Sequence, residues 1–257
     1  TIDGLTFVGV GRLQVGSRSV GFPNTYNTLR NNSLTGDGES VLIAVSVYGP
    51  DNDQNPTTNT LVYNNTIRGY GPVYSEKDID CTGVEVSGQT KDTWVLYNDI
   101  SLCSGAGVQL GPGAPNTAVS KVYIGRNHIR EVRQSAVAIK WAEKIVISSN
   151  YLHDVISTSW SISKAIGAQS EPHDVWILCN HIHTVEYGIR FPSTTGNLPT
   201  TMKSYVIGNI IHDIFPVQPY QPNAYQPAGI NSFGSNVLHY YNNVIFNAFN
   251  GISKVGT

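Results

Sequence analysis

Lys140 and Arg190 are the basic residues whose setting suggests chemistry. Each closes or lies within a short segment of alternating side chains, Ala136-Val-Ala-Ile-Lys140 and Gly188-Ile-Arg-Phe-Pro192. An amine whose pKa is lowered by a second cation can remove a proton from a carbon beside a carboxylate. A guanidinium can neutralise that carboxylate as charge builds up on it. If the flanking aliphatic residues point inward, the outward positions on successive segments read Glu85, Gln109, Ala138, Gly167, Arg190, Asn231, Ser253. Two residues on, they read Ser87, Gly111, Lys140, Gln169, Pro192, Phe233, Val255. Lys140 is then the candidate base and Arg190 the candidate carboxylate partner, about 10 Å apart along the axis if they sit two strand spacings apart. Glu85, Gln109, Gln169 and Asn231 are candidate ligand-binding residues around a floor of small side chains at Ala138 and Gly167. Tyr220 and Tyr225, in the Pro-rich stretch Phe215-Pro-Val-Gln-Pro-Tyr-Gln-Pro-Asn-Ala-Tyr-Gln-Pro227, would add aromatic faces at the rim.

Metal chemistry has weaker support. Asp51, Asp53 and Asp78 offer oxygen atoms that a calcium ion accepts, but they form no organised series, so the cofactor stays unassigned. No zinc-binding spacing is present. A second set of outward positions, Thr35, Arg68, Ser101, Arg130, His153, His183, His212 and Phe246, stacks three histidines, with His128 and His181 next to them. Such a stack suits either metal binding or proton transfer. Because Asn-x-Ile-His is also a form of the underlying repeat, a solvent-facing structural stack is the preferred reading and no metal ligand is assigned.

A scaffold must bring these residues together, and the sequence describes one. Lys121-Val-Tyr-Ile-Gly-Arg-Asn127-His-Ile-Arg-Glu-Val132, Lys144-Ile-Val-Ile-Ser-Ser-Asn150-Tyr-Leu-His-Asp-Val155 and Asp174-Val-Trp-Ile-Leu-Cys-Asn180-His-Ile-His-Thr-Val185 repeat one pattern. Each is a strand, an Asn and a second strand, and each is followed by a third alternating segment. Three short half-apolar strands make one coil of a solenoid. The Asn recurs at Asn32, Asn65, Asn98, Asn127, Asn150, Asn180, Asn209 and Asn243, and Asp3 takes the same place at the start. Asn tolerates left-handed backbone at a tight turn, and its amide both donates and accepts, so stacked copies predict an internal ladder.

The recurring strand-Asn-x-Ile unit, from Asp3 to Lys254, resembles the right-handed parallel β-helix proteins of the pectate-lyase-like superfamily, which includes polysaccharide lyases, polygalacturonase-like hydrolases and phage tailspikes. That resemblance implies an all-β solenoid of about eight coils over residues 1–257, a single domain. It also implies a polysaccharide partner and, with Lys140 and Arg190 as above, a lyase cleaving an acidic glycan by β-elimination in a groove along one sheet. A non-catalytic adhesin, tailspike-like shaft or glycan-binding scaffold is the alternative class. Glycoside hydrolysis is less favoured, since it needs two carboxylates about 5–9.5 Å apart and the outward positions supply only Glu85.

Bulk properties agree. Charged residues make up 13% of the 257 residues and the net charge is −2, which gives no electrostatic basis for nucleic acid or an anionic membrane surface. No apolar run reaches the roughly 20 residues of a membrane-spanning helix. Abundant Asn, Thr, Ser, Gly and Tyr suit an extracellular protein. The chain opens and closes on strands, so a fragment of a longer polypeptide lacking both caps is expected. Cys81 and Cys103 fall at matching places on neighbouring coils, where a disulfide or two buried thiols both fit. Loops through residues 69–80, 156–164 and 215–228 on one edge, and 111–118 and 192–203 on the other, are expected to wall the groove.

Overall fold

The computed structural model describes residues 1–9, 11–16, 24–40, 43–50, 55–75, 77, 79–112, 119–159, 161–170, 172–191, 203–216, 226–233 and 237–255. The chain is a parallel β-helix. Three nine-stranded sheets run its length, and every named pair of strands within them is parallel. Among the described residues there is no helix. The eight ladder asparagines bound about seven turns, slightly fewer than the eight expected from the sequence. The chain before Asn32 and after Asn243 supplies the remaining strands.

Each coil follows one plan. A first-sheet strand such as Thr90–Leu96 leads to the Asn, a second-sheet strand such as Asp99–Cys103 follows, and a third-sheet strand such as Val108–Leu110 closes the turn. Side chains alternate, so one set from each sheet fills the interior. Val95, Ile100 and Val108 are fully buried in one coil, as are Ile124, Ile129 and Val137 in the next. Parallel strands in register place like residues over like, so the core is three stacks of branched aliphatic chains.

The asparagines form the predicted ladder. Asn98, Asn127, Asn150 and Asn180 each donate a side-chain N–H to the Oδ1 of the next, at 2.9, 3.0, 2.9 and 3.0 Å. Each of these Oδ1 atoms also accepts the backbone N–H of the preceding Asn. The backbone reason differs from the expected one. The left-handed residue is the one before the ladder Asn, with φ near 55° at Asn31, Asn64, Tyr97, Arg126, Ser149, Cys179 and Asn242, and 68° at Gly208. The sharp turn therefore precedes the Asn, whose own task is to satisfy polar groups inside the coil.

In six of the third-sheet strands a small residue stands just before the first inward aliphatic side chain: Gly83, Gly107, Ala136, Ala165, Gly188 and Gly229. A Cβ on Gly107 would lie 2.4 Å from Ile129 Cγ2, and one on Gly83 would lie 2.7 Å from Ile100 Cγ2. The isoleucine stack of the second sheet fills the corner where the chain enters the third. Cys81 and Cys103 are buried free thiols, and burial pushes the Cys103 pKa up to about 12.

Candidate functional site

The outward positions of the third sheet align as the sequence pattern predicts. Glu85 pairs with Gln109, Gln109 with Ala138, Ala138 with Gly167, Gly167 with Arg190, and Arg190 with Asn231. Inward neighbours Val108, Val137, Ile166 and Ile189 are fully buried, which fixes the intervening side chains on the outer face. Lys140 and Gln169 follow on from Ile139 and Ala168, which are paired, so they too belong to adjacent coils at one edge of this face.

The small floor at Ala138 and Gly167 is occupied. A Cβ on Gly167 would lie 2.9 Å from Ser135 Oγ and 3.2 Å from both Cδ and Cε of Lys164. Lys164 begins the strand Lys164–Ala168, pairs with Ser135 and Tyr187, and lays its stem across the glycine. It is only 7% exposed. Burial, then the positive charge of Arg190, lower its pKa to about 8; Glu186 and Asp80 oppose that shift and Lys140 reinforces it. The guanidinium of Arg190 lies 5.1 Å from the Tyr187 ring centre and 5.4 Å from that of Phe233. The aromatic faces hold it in place while leaving its charge beside the amine.

Two segments are pinned along the edge where the strands enter. Glu186 accepts hydrogen bonds from Ser157 and from the Ser163 N–H at 2.9 Å, and donates its own N–H to Ser163 Oγ at 2.9 Å. Those bonds tie Ser157, and Ser163 directly before Lys164, to Glu186. Arg133, fully buried, donates to the carbonyls of Ser104, Ser75, Lys77 and Ile79 and to Asp80, which holds those residues alongside. Gln109 lies at 3.1 Å from Thr82 Oγ1, and Glu85 accepts a bond from Ser87 at 3.0 Å. Asn231 is 1% exposed, and neither of its amide atoms has a hydrogen-bond partner among the described residues. Tyr220, Tyr225, Asp51, Asp53 and Asp78 lie outside the described residues, as do most of the opposite wall's loops. Sequence reading thus brought Arg190, Gln109 and Asn231 into one column but missed Lys164. The available signal was a lysine opening a strand three residues before an outward glycine.

The second sheet carries the histidines. His128, Tyr151 and His181 share one column, and Arg130, His153, His183, His212 and Phe246 the next. His153, His183 and His212 stack with centroids 4.8 and 5.0 Å apart, nearly coplanar in orientation. Diagonal pairs meet through their Nε2 atoms, His128 with His153 and His181 with His212, both at 2.8 Å. The Nδ1 atoms of His153 and His212 face Asp154 at 2.7 Å and Asp213 at 2.8 Å. Burial against their neighbours lowers the pKa of His128, His181 and His183.

No family model matches the chain, and no curated protein is similar to it. Solved structures similar to it include the A-module of the mannuronan C-5 epimerase AlgE4 of Azotobacter vinelandii, with a TM-score of 0.54 and 17% identity over 100% of this chain and 84% of that one. The surface adhesin PfbA of Streptococcus pneumoniae gives 0.59 and 13%, over 90% of this chain and 64% of that one. An alginate lyase from Paenibacillus gives 0.52 and 14%, over 99% and 89%. At these identities the likeness is one of fold, and this chain spans less than two thirds of the adhesin's length.

Proposed function

We propose that the third-sheet face is the active site of an extracellular lyase that cleaves an acidic polysaccharide by β-elimination. The carrying observation is Lys164, an occluded lysine with a pKa of about 8 beside Arg190. A depressed amine pKa leaves a useful fraction of free base near neutral pH. In the proposed step the Nζ of Lys164 takes the proton on the carbon next to the uronate carboxylate. The bond from the adjacent carbon to the glycosidic oxygen breaks as the C=C bond forms, and the departing oxygen is protonated by Lys140 or water. Arg190 pairs with the carboxylate as its charge rises. Gln109, Gln169 and Glu85 would bind sugar hydroxyls along the column; Asn231, expected from sequence to do the same, is buried and does not reach the outer face. Lys140, the base expected from sequence, is here the neighbour that helps hold the Lys164 pKa down.

One observation favours a non-catalytic glycan-binding role instead: Lys164 is only 7% exposed, and Ser163 directly before it is tied to Glu186. The fold itself is neutral on this point, since its solved neighbours include an epimerase, a lyase and an adhesin. Pectate, alginate and chondroitin should be incubated with the protein while unsaturated product is followed by ultraviolet absorbance. The lyase reading expects product from at least one, a rate that rises with pH to a plateau above about 8, and a loss on the order of a hundredfold or more in Lys164→Ala. No product from any of the three, with glycan binding intact, would leave the binding role standing.

A further inference from the structure

The two diagonal histidine pairs look alike but differ in which atom carries the proton. In His128 the Nδ1 faces the Arg130 guanidinium at 3.2 Å. A guanidinium can only donate, so that Nδ1 accepts and the ring proton is held on Nε2. Asp154 fixes the His153 proton on Nδ1, so His153 Nε2 is an acceptor. The His128–His153 contact is therefore a saturated N–H···N hydrogen bond, locked from both ends.

His181 and His212 lack one of those locks. Asp213 holds the His212 proton on Nδ1, and Asn247 in turn donates to Asp213. The His212 Nε2 lone pair is thereby directed at His181 Nε2, 2.8 Å away. Among the described residues no group hydrogen-bonds Nδ1 of His181, so its proton can move to that nitrogen and free a second lone pair. We propose that His181 and His212 form a two-nitrogen site for a divalent transition-metal ion of the imidazole-binding class, such as zinc or copper. Asp213 behind His212 completes the carboxylate–histidine–metal arrangement that orients such ligands.

The geometry needs a small adjustment. Two nitrogens each about 2.0–2.1 Å from a tetrahedral ion stand roughly 3.3 Å apart, so the rings must part by about half an ångström. Both sit on the outer face at adjacent coils, where the side chains can tilt without moving the backbone. No three His, Cys, Asp or Glu converge on one point among the described residues, so water completes the coordination. The site lies on a different sheet from the proposed glycan cleft and does not depend on that reading.

Calorimetric titration of the full chain with zinc chloride, and separately with copper sulfate, near pH 7.5 tests this. One saturable equivalent is expected. His181→Ala and His212→Ala should each weaken binding by at least tenfold, Asp213→Asn by about 10–100-fold, and His128→Ala should leave it unchanged. The wild-type imidazole NMR signals supply a readout that needs no variant: copper should broaden those of His181 and His212 before those of His128. Absence of saturable binding, binding that survives both His181→Ala and His212→Ala, or equal loss in His128→Ala would overturn the proposal. If an alanine variant does not fold, the order of broadening in the wild type decides the matter.

Discussion

Lys164 is held in a charged state that its surroundings oppose. Its pKa is lowered from 10.5 to about 8 by burial and by Arg190, so below pH 8 the folded protein carries a cation that the unfolded chain would hold more cheaply. The corresponding cost is about 3 kcal/mol. Between pH 8 and 10.5 the folded protein loses that proton while the unfolded chain keeps it, so the cost fades as pH rises and is absent above 10.5. Lys164→Met, which keeps the stem over Gly167, is therefore expected to raise stability near pH 7 by up to about 3 kcal/mol, and to give no gain above pH 10.5. Urea denaturation of both proteins at pH 7 and near pH 10.5 measures this, and an unchanged or lowered midpoint at pH 7 would show that the amine is not held under strain. The residue was hidden in the sequence because the column position it fills belongs to Gly167. Alternation reports which residues face outward, but not that a side chain from three residues earlier lies across a glycine. Arg190 and Asn231 were legible because their own backbone positions lie in the column.

The strands themselves were readable for a simple reason: one apolar side chain per strand must face the axis, and parallel register repeats it coil after coil. The corner between the second and third sheets was not read, although its sequence mark is plain in retrospect as Gly107-Val108, Ala136-Val137, Gly188-Ile189 and Gly229-Ile230. Its cause is steric and involves a residue from the preceding sheet, so pattern along a single strand does not expose it. Gly107 has Ile129 Cγ2 and the Ala136 carbonyl 2.4 and 2.8 Å from where a Cβ would sit. Gly107→Ala should force the isoleucine stack aside and cost about 1–3 kcal/mol. The paired change Gly107→Ala with Ile129→Leu, which takes away the crowding β-branch methyl Cγ2 at nearly constant volume, should recover part of that loss. A double-mutant cycle by thermal or chemical denaturation reads the coupling, and strictly additive effects would mean that the corner is not where the crowding lies.

Along the whole molecule, neighbouring coils touch and distant ones do not, so stability is close to a sum of local terms plus nearest-neighbour terms. The asparagine ladder crosses every one of those interfaces. Asn150 accepts from the backbone and side chain of Asn127 at 3.0 Å each, and donates to the Ile124 carbonyl at 3.0 Å and to Asn180 at 2.9 Å. Asn150→Ala would orphan the buried Asn127 N–H, while the Ile124 carbonyl stays in the parallel ladder with the next coil, Asn127 Nδ2 keeps its bond to Val95 and Asn180 Oδ1 still accepts the backbone N–H of residue 150. The orphaned N–H costs about 1–3 kcal/mol. The size matters less than its reach. A solenoid with nearest-neighbour coupling should show faster hydrogen exchange in the coils around Asn127, Asn150 and Asn180, with Asn32 and Asn243 little changed. Exchange that accelerates evenly from Asn32 to Asn243 would show a single cooperative unit instead. In the local case the middle of the protein can open without loosening its ends, and the third-sheet column sits in that middle: Lys164 and Arg190 lie on the two coils that the Asn150 and Asn180 interfaces join.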